Sequence, residues 1–276
     1  MVACSETLSK IEDPEVVNKH TTMVTAEVEP LVFAGLDDVS TYVWGASDRI
    51  GLYGSAKGNN SRYDLISTTE GEVTGRFYGE SVAGEISAYF PYSKKGCPTL
   101  LDNRQPIANV QNYNASAIDH IYAHTIFIGT AADTHIVLSH NMGLLKITIP
   151  FEVKGIEKVR VSVKNLTEGY DTALTGNVAL LDSTTPLVEM ASNYVEIPGV
   201  PCLDTSAEAP VTLWALVAPG RYENFMVQLS GEGWMMNKPV KGPFVVERAK
   251  VTNCVVEDIN YDFGVGGFDN ESGSFD

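Results

Sequence analysis

The chain has 276 residues, 44% of them hydrophobic, which is enough apolar material for two folded cores and too much for a disordered chain. Its 35 acidic against 19 basic residues leave a net charge of −16, so phosphate backbones and anionic membrane surfaces are repelled and nucleic-acid binding is set aside. No apolar run approaches the roughly 18 residues that a membrane-spanning helix needs.

The order of residues favours an all-β chain, because 24 glycines and 13 prolines recur as punctuation between short apolar stretches. At the start, Met1-Val2-Ala3-Cys4-Ser5 has small residues before a cysteine, as at the end of a bacterial lipoprotein signal; Cys4 is either a lipidation site or a chance cysteine. Residues 5–20 are polar and read as a tether. A first strand is expected over Thr22 to Phe33, with Val24, Ala26 and Val28 on one face and Met23, Thr25, Glu27 and Glu29 on the other. Asp48 to Gly54 reads as a short strand and Lys57 to Tyr63 as a polar loop; glycines cut 71–93 into hairpin-sized pieces ending in the aromatic strand Ala88 to Tyr92. Thr99 to Thr125 has little periodicity and reads mainly as an extended crossover, with one helical turn near Ser116 to Tyr122.

Ile136 to Leu138 and Leu144 to Ile149 flank a hinge of Ser139, His140, Asn141 and Gly143, and with Lys158 to Lys164 they predict a β-meander. After Asn165 the pattern restarts, with strands expected at 177–181, 194–197, 211–217, 225–229, 244–247 and 251–265, so a domain boundary is placed between Asn165 and Thr175. Val211 to Ala218 is the most continuously apolar of these, which puts Trp214 in a core. Over the last stretch Ile259, Tyr261, Phe263 and Val265 share one face.

In order along the chain, Asp48 to Tyr53, Ala88 to Ser93, Tyr122-Ala123, Leu138 to Ile147 and Leu213 to Pro219 resemble the landmarks of the fimbrillin-like surface lipoproteins and pilus subunits of Bacteroidales. The resemblance spans roughly residues 22 to 260 and implies two transthyretin-like β-sandwich domains in tandem, here 21–168 and 169–276 behind the 1–20 tether. It also implies lipid attachment at Cys4, a place on the cell surface at the outer membrane or in a pilus, and other fimbrillin-like subunits as partners. Assembly in such a subunit would proceed by β-strand addition. The strand-exchange candidates are Met23, Val24, Ala26 and Val28 at one end and Ile259, Tyr261, Phe263 and Val265 at the other, the latter set either a donor or the closing strand of its own domain. Shaft subunits resembling this chain carry an Arg after the first strand for proteolytic removal of that strand. No Lys or Arg lies between Lys19 and Arg49 here, which points to another maturation site or to an anchor or accessory subunit that keeps its strand.

Catalytic and metal readings are weaker. His120 and His124 are four apart, yet no Glu follows His120 as in a zinc protease, and structural histidines are expected; His140 is expected to order its turn through a ring N–H to a backbone carbonyl. The acids Glu257, Asp258, Asp262, Asp269, Glu271 and Asp276 fit no calcium loop and read as a solvated tail. Cys97, Cys202 and Cys254 match no metal pattern and are expected as buried thiols rather than as one bridge with a spare. Neither an enzyme nor a cofactor is expected. Two functions are carried forward: a fimbrillin-like subunit with a host or bacterial surface receptor, and a non-polymerising surface glycan-binding lipoprotein, for which Trp44 and Trp234 in loop-like sequence are candidate sugar-stacking residues.

Overall fold

The computed structural model describes residues 21–30, 40–94, 104–140, 142–163, 168–179 and 188–259, with the backbone alone for 57–59, 104–106, 178–179 and 188–190. The first part comprises β1 (Thr21–Val28), β2 (Arg49–Gly54), β3 (Lys57–Leu65), β4 (Gly75–Glu80), β5 (Ile86–Phe90), β6 (Arg104–Ile107), the helix α1 (Ala117–His124), β7 (Phe127–Ala131) and β8 (His135–His140). Seven of these strands close into a barrel in the order β1-β4-β3-β2-β5-β7-β8. Every pairing around it is antiparallel except that of β1 with β8, which is parallel and completes the circle.

Alternation explains the barrel's core. Val24, Ala26 and Val28 of β1, Ile136 and Leu138 of β8, Ile50 and Leu52 of β2 and Phe77 of β4 all project inward. They surround Trp44, whose ring meets Phe77 edge-on at 4.8 Å and Phe90 at 5.1 Å. Side chains of this size each contribute about 1.5–3 kcal/mol when removed from water.

The second part comprises β9 (Gly143–Ile149), β10 (Val153–Ile156), β11 (Lys158–Val163), β12 (Thr175–Ala179), β13 (Val188–Ser192), β14 (Tyr194–Ile197), β15 (Leu203–Thr205), β16 (Val211–Val217), β17 (Gly220–Gly231), β18 (Trp234–Val246) and β19 (Val251–Val255). Two sheets, β14-β11-β17-β18 and β16-β9-β19, share one apolar cluster built from Leu145 and Ile147, Val159 and Val161, Leu213 and Ala215, and Val227 and Leu229. The long β17–β18 hairpin turns at its tip through Gly233, which holds φ +72°, a conformation glycine adopts without cost. Strands β9 and β16 belong to both cores, with Leu144 and Leu216 facing the barrel while Leu145 and Ala215 face the second cluster.

The structure corrects several expectations. The cores divide at β9, not near residue 169, because the strands read as a meander separate: β8 stays in the barrel, while β9 pairs with β16 and β19 and β11 pairs with β14 and β17. The supposed loop at 57–63 is β3, whose polar residues are held by ladders to β2 and β4 rather than by their own propensity. The segment near 116–124 is a full helix, capped where Ser116 Oγ accepts from the Asp119 N–H at 3.2 Å. Cys254 is buried as expected, whereas Cys202 is exposed; Cys97 lies outside the described residues. Within the described residues β19 ends at Val255, so Ile259 lies beyond it and is 41% exposed.

Candidate functional site

The N-terminal strand is inserted between two others. β1 runs antiparallel to β4, from Thr21 opposite Glu80 to Ala26 opposite Gly75, and parallel to β8, from Thr25 opposite His135 to Val28 opposite Leu138. Both of its edges are therefore used. At its C-terminal end the Glu29 N–H donates to the Leu138 carbonyl at 2.8 Å. Val24, Ala26 and Val28 are 1%, 0% and 2% exposed, so the three small side chains fill a slot that would be empty without them.

The floor of that slot explains the choice of residues. A Cβ on Gly75, opposite Ala26, would come within 2.7 Å of both Phe77 and Trp44, so glycine at this position leaves room for the indole. The indole N–H of Trp44 in turn donates to the Ala26 carbonyl at 3.0 Å in a buried setting.

Polar contacts tie both faces of β1. On the inward side Thr22 Oγ1 donates to Ser81 Oγ at 2.8 Å, and on the outer side Thr25 Oγ1 lies 3.0 Å from His135 Nδ1. Met23, the remaining sequence candidate in this strand, is partly buried on that face, its Sδ accepting from Arg76 Nη2 at 3.2 Å. The Glu27 carboxylate is 3.8 Å from His135 Nε2 across a half-exposed gap, where screening leaves little net attraction. Below the end of β1 a cavity of about 340 Å³ is lined by Glu29, Pro30, His140, Arg248 and Ala249.

Of the second candidate set, Ile259 is in neither strand nor core cluster, while Tyr261, Phe263 and Val265 lie outside the described residues, as does Cys4. Of the N-terminal set, Val24, Ala26 and Val28 share one slot, while Met23 lies on the opposite face of the strand.

Two of the described histidines, His120 and His140, are buried. His120 is fully buried and its Nε2 is 2.9 Å from Gln111 Oε1. That amide also accepts the Leu216 N–H at 2.8 Å and donates to the Leu216 carbonyl at 2.7 Å, behaving as a piece of strand along β16. Nothing in the sequence singles out Gln111, since a buried amide in a segment without periodicity is defined only by what folds onto it. Burial, then the neighbouring His124, hold His120 down at about 3; burial, then Arg248, hold His140 at about 4. The hinge after β8 is tied through the His140 backbone carbonyl, which accepts from Arg248 Nε at 2.7 Å. Among the described residues no three His, Cys, Asp or Glu side chains gather as metal ligands.

The tryptophan expectations also change. Trp44, a sugar-stacking candidate in loop-like sequence, is buried in the barrel; Trp214, read as core, is partly buried and belongs to the barrel side of β16, with Lys146 Nζ 5.9 Å from the centre of its ring. Alternation is the reason, since Leu213 and Ala215 take the inward positions of β16. Trp234 packs partly buried at the tip of the β17–β18 hairpin. A nearby depression of about 790 Å³ is lined by Glu157, Lys158, Pro198, Val200, Cys202 and Ser230.

No protein-family model matches the chain, and no curated protein matches it in sequence. Its fold is shared with a Bacteroides ovatus protein provisionally described as a cell adhesion protein, at a TM-score of 0.52 and 12% identity over 84% of this chain and 91% of that one. More distant similarities are to the tip fimbrial protein Mfa3 of Porphyromonas gingivalis, with a TM-score of 0.40 and 11% identity over 84% of this chain and 94% of that one, and to the fimbrial anchor protein Mfa2 of the same organism, with 0.38 and 10% over 78% and 80%.

Proposed function

We propose that this chain is a non-enzymatic, fimbrillin-like cell-surface subunit that joins other such subunits by β-strand addition at the slot now filled by β1. The observation that carries this reading is the seating of Val24, Ala26 and Val28. An N-terminal strand hydrogen-bonded on both edges supplies the barrel with three inward side chains from one short segment. A strand of the same alternation from another subunit would meet the same backbone donors and acceptors and the same small pockets.

The sequence landmarks and the fold shared with the Bacteroides ovatus protein support this reading. The two cores are then the two transthyretin-like domains, and Cys4 is the lipid attachment point behind a polar tether. No Lys or Arg lies between Lys19 and Arg49, so vacating the slot requires maturation at another site, whereas an anchor or accessory subunit would keep β1 in place. Surface protein sheared from a Bacteroidales host expressing the chain and resolved without boiling tests the reading. A ladder of multi-subunit species containing the chain is expected, and recovery of the monomer alone would favour the non-polymerising glycan-binding alternative.

A further inference from the structure

The open side of the second core carries an arrangement that strand addition at β1 does not use. Among the described residues β18 is the outermost strand of one sheet and β19 of the other, so two edges come together where the chain leaves β19. Edges of this kind invite unwanted pairing unless they are covered. Beyond β19, the Val256 N–H donates to the Thr148 carbonyl at 2.8 Å and the Val256 side chain is buried in the core.

The next two residues reach back to β18. Lys238 has a side chain only 6% exposed, and its Nζ meets Asp258 Oδ1 at 2.8 Å. The same ammonium lies 5.3 Å from the centre of the Phe151 ring. Lys241 Nζ and Glu257 Oε2 form a looser rung at 3.9 Å. A lysine buried to this degree is costly to desolvate and is kept in place by its partners.

We propose that Val256–Asp258 is an ion-locked strap, in which the Lys238–Asp258 pair is the latch that keeps β19 docked against β9. Releasing the latch opens the second core at β19 while leaving the barrel folded. This inference stands apart from the strand-addition reading, since neither needs the other.

Cys254 makes the strap measurable. Its thiol is buried on β19 and pushed up to about 12 by that burial, so it reacts with an alkylating reagent only when the strand lifts, whereas Cys202 is exposed throughout. In the full chain, iodoacetamide labelling is followed by peptide mass spectrometry, with amide exchange of β2 as the reporter on the barrel. Asp258→Asn is expected to speed Cys254 labelling about tenfold or more, with Cys202 labelling and barrel exchange unchanged. Lys238→Met is expected to speed Cys254 labelling as well, even if it melts no lower than the unsubstituted protein, because removing the charge removes its desolvation cost together with the latch. Unchanged Cys254 labelling in Asp258→Asn, slower labelling in Lys238→Met, or barrel exchange that rises in step with the labelling would each overturn the strap.

Discussion

The indole N–H of Trp44 reaches the backbone carbonyl of Ala26 at 3.0 Å inside the barrel, so a side chain from the β1–β2 connection fastens the N-terminal strand from within. Trp44→Phe keeps an aromatic ring but loses this bond and part of the indole volume. A loss of about 1–3 kcal/mol is expected in urea unfolding. Unfolding at an unchanged urea midpoint and slope would show that the bond adds nothing to the seating of β1.

Opposite Ala26, Gly75 leaves the space that the indole occupies. Gly75→Val would favour the strand backbone but drive two methyl groups toward Trp44 and Phe77. The clash is expected to dominate, lowering stability by about 1–3 kcal/mol and shifting Trp44 fluorescence toward that of a hydrated indole. A variant as stable as the parent, with unshifted emission, would mean that the slot is wider than the packing shows.

Acid should loosen the molecule through two buried histidines. His120 and His140 are held at about 3 and about 4 in the folded chain, below the value of about 6.5 they regain on unfolding. Their contribution is fully present above about pH 6.5 and is lost as pH falls toward the folded values, because the unfolded chain then binds protons that the folded chain refuses. Each adds a slope of up to about 1.4 kcal/mol per pH unit. Unfolding free energies measured at pH 7, 6 and 5 should therefore fall. The double variant His120→Gln, His140→Gln should flatten the profile, and an equally steep fall in that variant would assign the acid sensitivity to other groups.

Limited trypsin treatment should leave β1 attached. The sequence offers basic residues at Lys10 and Lys19 and then none before Arg49, and β1 is paired on both edges. Intact-mass analysis is expected to find a stable core beginning at residue 11 or 20. A core beginning at residue 50 under mild digestion would mean that β1 and its connection open readily.

How much of this was readable beforehand follows from the range of each signal. The inward set Val24, Ala26 and Val28 was legible because a period of two is local, and one buried face fixes it. That β1 would lie parallel to β8, more than a hundred residues away, leaves no mark in either segment. Trp44 misled because glycine and polar neighbours describe the backbone around it, not the cavity it enters. The domain boundary misled for a related reason: strand patterning restarts near residue 170, but core membership is decided by pairing, and β9 pairs with β16 and β19. Lys238 and Gln111 carry no periodic signal, since both are defined by partners distant in sequence.

The strand-addition claim is tested most directly by emptying the slot and refilling it. A protease site inserted in the 31–39 connection lets β1 be cut and stripped from the folded protein, after which a synthetic peptide of residues 21–28 is titrated by calorimetry. One-to-one binding that restores the melting temperature is expected, together with binding at least about a hundredfold weaker for the peptide carrying Ala26→Asp, since an unpaired carboxylate would then be buried. A stripped protein that melts like the intact one and ignores the peptide, or that binds both peptides equally, would contradict the claim.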